Sequence, residues 1–246
     1  MSGRAAEVDQ HMVDVVQEIN LAVATIFDQL QPLATTTVAV LGDHTLDDEL
    51  ANALHRALEQ PCRDVLATID TPITGVGFVA DIDRTGPIGA WMLWWIRSGA
   101  AIKQKQHVLN RESDSFYDYS NAQWFREARH GTAPFITSPY IDAWGTDSLT
   151  MTASIPVFTG GTFLGVVAAD LKTENFCDQL IRILQRGEDI TIVDHEDRVI
   201  ASSIPVLTPG IPIRGFLRRS SQTVGDRHPC AYAEWSAVRF NPSPNS

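Results

Sequence analysis

The chain has 246 residues, a length that suffices for one large domain or two modest modules sharing a spine. With 30 acidic against 19 basic side chains its formal net charge is -11, which argues against a nucleic-acid surface, because phosphate binding requires clustered Lys and Arg. The only basic cluster, Arg214 to Arg219, is short.

The first ten residues are polar and carry Arg4, Glu7 and Asp9, with no apolar signal-peptide core. Val8, Met12, Val15, Val16, Ile19, Val23, Ile26, Phe27 and Leu30 then recur at helical spacing, so a long amphipathic helix is expected from about Ala6 to Gln31, ending at Pro32. Its apolar face is broad enough to cover a sheet of its own chain or to pair with a second copy. Thr35 to Leu41 reads as a short strand or extended linker. Thr45 stands as an N-cap with Asp48 three residues on, giving a helix from Leu46 to Glu59 stopped by Pro61. His44 and His55 lack metal-spaced partners.

Ile73 to Ile82, GAWMLWWIRSG and Ile102 to Leu109 read as successive strands of an antiparallel sheet. The period of two puts Trp91 and Trp95 on one face and Trp94 on the other, so one of these faces floors a pocket or all three rings are packing. Gly75-Val-Gly77 lies inside a strand and opens no helix, which excludes a dinucleotide fingerprint.

From Phe116 to Asp170 the chain carries most of its nameable chemistry. An irregular aromatic stretch, broken by Pro134 and Pro139, precedes two strand-like runs, Leu149 to Phe158 and Thr162 to Leu171. Gly160-Gly161 between them predicts a tight hairpin. Tyr117, Trp124, Tyr140, Asp142 and Asp170 are the candidate ligand-binding residues. Carboxylates give an ammonium charge-assisted hydrogen bonds, and ring faces attract it through their quadrupoles. The same residues also fit an ordinary core with Asp capping a strand end.

Glu174 to Gln185 is expected to be a helix with Phe176, Leu180, Ile183 and Leu184 inward, ended by Gly187. Asp189 to Ser203 predicts a hairpin around His195-Glu196-Asp197, whose three adjacent side chains point apart and make poor acid-base machinery. The proline-rich remainder leaves room for one or two strands, Ala231 to Phe240 being the best, before a frayed tail at 241–246.

Cys62, Cys177 and Cys230 are odd in number and far apart, which predicts a reducing compartment and no zinc site. The most apolar run, Ile88 to Ile96, is too short to span a bilayer. No metal, no cofactor and no membrane insertion are expected. The composition places the chain in the cytoplasm, or outside it if the chain is an excised receptor ectodomain.

The order Tyr117, Trp124, Tyr140-Ile-Asp142, then GVVAADL with Asp170, resembles the ligand-binding motif of double Cache (dCache, PAS-like) sensor domains. WFREA, SPYIDAW and TMTASIPVF extend the likeness, and weaker similarity runs from the first helix to about Phe240. The resemblance implies an α+β fold, a long N-terminal helix on PAS-like antiparallel sheets with a small second module. It divides the chain into a helix at 1–33, a ligand-binding module at 34–172 and a second module with tail at 173–246. Amino-acid-binding members carry an Arg two residues before the Trp to hold the ligand carboxylate; here that position is Ala122. The kept half of the motif implies a small amine (polyamine, biogenic or methylated) as ligand, sensed without catalysis and reported through conformation or a homodimer of the N-terminal helix to an unknown downstream partner. The alternatives are an amino-acid sensor with a substitute anchor such as Arg126 or Arg97, an enzyme acting on a small amine, and a scaffold with an empty pocket.

Overall fold

The computed structural model describes residues 2–142, 148–185 and 189–242. They form an α+β fold, a long N-terminal helix with two antiparallel sheets, as the sequence predicts. The chain divides into two compact units, Thr25–Lys172 and Met1–Ala24 with Thr173–Ser246.

Helix α1 (Ser2–Leu41) does not end at Pro32 but runs through it. A proline inside a helix costs one backbone hydrogen bond and about 3 kcal/mol. Beyond it, Leu33, Ala34, Thr37 and Leu41 are buried, and burying such side chains outweighs that cost. The β-branched run read as a strand or linker is therefore helical, with Thr35 and Thr37 returning their hydroxyls to the carbonyls of Gln31 and Leu33. Helix α2 (Asp48–Ala67) corrects the expected bounds in the same way. Its N-cap is Asp47, whose carboxylate accepts from the Leu50 amide at 2.9 Å, while the Leu46 amide is committed to the Arg84 carbonyl. Pro61 lies inside, because Cys62, Val65 and Leu66 beyond it are buried.

The larger unit is built on a sheet of seven strands: β1 (Ile73–Ala80), β2 (Met92–Ser98), β3 (Ala101–Lys105), β4 (Phe135–Ile136), β5 (Tyr140–Ile141), β6 (Leu149–Thr159) and β7 (Thr162–Lys172). Their order is β3-β2-β1-β7-β6-β4, with β5 also on β6, and every pairing is antiparallel. The β6–β7 turn has positive φ at both Gly160 and Gly161, the backbone a two-residue hairpin of this twist requires. Helix α2 packs on β1 and β2 over one face; α3 (Gln123–His130) packs on β6 and β7 over the other. Trp95 belongs to the first face, its ring 5.7 Å from that of His55. Trp94 belongs to the second, in a cluster with Val79, Tyr119, Trp124, Phe125, Val166 and Ala168.

In the smaller unit, α4 (Thr173–Leu184) buries Phe176, Leu180, Ile183 and Leu184 and packs on β9 (Val199–Ser202). Gly187, expected to end this helix, lies outside the described residues, as do residues 243–246 of the expected tail. The four-stranded sheet runs β10-β11-β8-β9, with β8 (Ile190–Asp194), β10 (Gln222–Pro229) and β11 (Trp235–Pro242). A short helix, α5 (Arg214–Ser220), presents Arg214, Arg218 and Arg219 outward. At the β8–β9 turn Asp194 accepts from the amides of Glu196 and Arg198, both at 2.9 Å. His195, Glu196 and Asp197 face separate partners, Glu234, Arg198 and Arg227, so they form no common site.

Candidate functional site

Strand alternation assembles the site on the α3 face of the larger sheet. Across the ladder Thr152 stands opposite Asp170, and Asp170 opposite Gly75. One step along, Ser154, Ala168, Gly77, Trp94 and Lys105 form a second row across five strands. Residues directly opposed in an antiparallel pair share a face, so both rows look the same way.

Gly75 and Gly77 make a trough in this face, which the Trp94 indole fills. A Cβ at Gly75 would stand 2.8 Å from Trp94 Nε1 and 3.4 Å from Asp170 Oδ2; one at Gly77 would stand 2.9 Å from Trp94 Cε3. Trp94 thus floors the site, its indole nitrogen toward Asp170.

Asp170 is partly exposed at the strand surface yet lies deep in the unit. The Thr152 hydroxyl donates to its Oδ1 at 2.9 Å, and the Tyr140 hydroxyl, 2.7 Å from Thr152 Oγ1, donates onward to Thr152. Burial, then the neighbouring charge of Asp142, push the Asp170 carboxyl up to about 7, against the pull of the Thr152 hydrogen bond and of Lys105. Asp142 is buried at the end of β5, its amide bonded to the Ser148 carbonyl at 3.1 Å. Burial and the two carboxylates also raise Tyr117 and Tyr140, which stay neutral phenols. Trp124, buried on α3, stands close enough to the Tyr117 hydroxyl to pull it down against burial. The five residues singled out in the sequence therefore surround one region: two carboxylates, a Tyr–Thr–Asp hydroxyl chain and three aromatic rings.

Neither arginine considered as a substitute anchor is there. Arg97 lies on the opposite face of β2, its guanidinium donating to the carbonyls of Leu66 and Thr68 at the end of α2. Arg126 is exposed on α3, and two positions after Trp124 it cannot share that residue's side of the helix. Ala122, at the N-cap of α3, packs against the aromatic cluster.

Sequence reading missed three contributors. Thr152 was detectable, since alternation in TMTAS sets its polar side chains against the buried Met151 and Ala153. Lys105 ends β3 opposite Trp94. His107 follows in irregular chain, where no periodicity marks it; its ring stacks on Tyr117 at 5.2 Å and meets Trp94 edge-on at 6.5 Å. Burial, and then Lys105, lower His107 to about 4, so the imidazole is neutral at physiological pH.

No curated protein sequence matches the chain. Among solved structures it is similar to the ligand-binding domain of the Campylobacter jejuni chemoreceptor Tlp3 in complex with L-valine, at 13% identity and TM-score 0.58 over 99% of this chain and 96% of that one. It is also similar to the ligand-binding domain of the Pseudomonas aeruginosa amino acid chemoreceptor PctC in complex with GABA, at 16% identity and TM-score 0.57 over 96% and 98%. The extracellular domain of the histidine kinase soHK1S-Z6 matches at 14% identity and TM-score 0.57 over 97% and 95%. These likenesses establish a shared fold. Residues 96–178, which contain all five sequence-derived site residues as well as Lys105 and His107, match the family model for the first PDC sensor domain of methyl-accepting chemotaxis protein-like receptors.

Proposed function

We propose that the chain is a ligand-binding sensor domain that recognises a small amine and performs no chemistry on it. The observation that carries this reading is the pairing of Asp142 and Asp170 within a ring of Tyr117, Trp124 and Tyr140, with the guanidinium fork of amino-acid binders replaced by Ala122. An ammonium group relieves the electrostatic penalty of two neighbouring carboxylates, and the rings enclose its carbon chain. The Thr152 hydroxyl occupies Asp170 Oδ1 and leaves Oδ2 for the ligand.

Calorimetric titration with amines and their parent amino acids tests the reading, alongside Asp142→Ala and Asp170→Ala. Saturable binding of amines that both variants abolish, with folding retained, is the expected result; unchanged affinity in the two variants would sink the site. A second reading, amino-acid binding, draws on the valine and GABA complexes of the structural neighbours. It predicts that the parent amino acids bind more tightly than the amines.

Signal output follows from a change in packing or in a homodimer of α1, on which Leu21 is exposed; light scattering with and without ligand tests the dimer. Among the described residues no helix is long and apolar enough to cross a membrane. For the compartment, the extracellular fragment among the neighbours is a better guide than cysteine usage, and protease accessibility on whole cells decides it.

A further inference from the structure

The amine reading leaves the far end of the ligand undefined, and the site has a second, basic pole that defines it. Lys105 stands opposite Trp94 across the β2–β3 ladder, on the face that carries Asp170. The indole lies between them, its nitrogen at the Asp170 end. His107, stacked on Tyr117 and edge-on to Trp94, closes the wall beside Lys105. Its Nδ1 is buried without a hydrogen-bond partner. Lys105 is close enough to act electrostatically on both His107 and Asp170.

We propose that Lys105 and His107 are specificity-determining residues that select a monoamine ending in an oxygen and reject diamines. The inference rests on the amine reading of Asp142 and Asp170. With its ammonium at the carboxylates, a ligand's other end reaches a lysine that only donates and a neutral imidazole whose Nδ1 donates or accepts according to tautomer. A hydroxyl or other oxygen satisfies both. A methyl group satisfies neither and leaves Nδ1 buried and unpaired. A second ammonium meets the like charge of Lys105 in a partly desolvated site.

The test is calorimetry with aminobutanol, butylamine and putrescine, matched in carbon chain, on the wild-type protein, Lys105→Met and His107→Phe. On wild type aminobutanol binds about tenfold more tightly than butylamine, the scale of one hydrogen bond to a charged or buried partner, and putrescine binds more weakly than butylamine. Lys105→Met brings putrescine level with butylamine or above it. His107→Phe keeps the ring stack and narrows the aminobutanol advantage. Putrescine binding wild type as tightly as aminobutanol overturns the proposal, and that ranking needs no variant to fold. If none of the three amines binds, the amine reading itself fails and takes this proposal with it, an outcome distinct from a reversed ranking.

Discussion

Replacing Asp170 by Asn separates what the carboxylate does for a ligand from what it does to the empty fold. The carboxyl stands at about 7 instead of 3.8, chiefly through burial. Three pKa units at about 1.4 kcal/mol each put the cost of ionising it in the ligand-free protein at about 4 kcal/mol, less whatever solvent reaches its exposed edge. The folded-state value is raised, so the folded chain holds this proton where the unfolded chain has released it. Stability from this group is therefore complete below the unfolded value of 3.8 and is lost as pH rises through about 7. Asn has the same shape, still accepts from Thr152, and has no proton to lose. Urea denaturation should find Asp170→Asn more stable than wild type by about 2–4 kcal/mol at pH 8, a gap falling by half or more at pH 5. A variant no more stable than wild type at pH 8, or a gap indifferent to acid, would refute the argument that Asp170 is a desolvated charge held for a cation.

The remaining predictions concern affinity, specificity and strand packing. Amine affinity, which needs ionised Asp170, should fall about tenfold between pH 8 and pH 6, with protons released on binding at the lower pH; calorimetry in buffers of different ionisation enthalpy reads both. Ala122→Arg restores a bidentate donor at the mouth of the aromatic cluster and should shift preference toward α-amino acids, measured as the ratio of amino-acid to amine affinity. Gly77→Ala would set a Cβ 1.9 Å from the Leu93 carbonyl oxygen, so β1 and β2 must separate, and thermal unfolding should show a loss above about 3 kcal/mol.

Local chemistry was legible where local chemistry decides. Gly160-Gly161, the inward face of α4 and the β8–β9 turn all stand where the sequence puts them, because turn residues and periodicity act over a few positions. Pro32 and Pro61 misled because their cost is local while the compensation is tertiary: buried side chains in the following turns hold each helix together. The five candidate residues were singled out through their resemblance to a motif, whereas composition alone favoured reading them as core. Lys105 and His107 escaped because what makes them part of the site is ladder register and ring contact with Trp94 and Tyr117, which a single sequence does not display.

The pairing of β1 with β7 also governs when the site comes into being. The β6–β7 hairpin closes through a two-residue turn and needs nothing else, but Gly75 meets Asp170 only after the long chain between them has been gathered, a contact of high sequence separation and correspondingly slow formation. A partly folded chain that has its helices and hairpin but lacks this pairing has no Trp94 floor under Asp170 and nothing to bind. A ligand of the proposed site would therefore stabilise only the completed topology, and binding capacity would count finished molecules in a refolding reaction where helical content overcounts them.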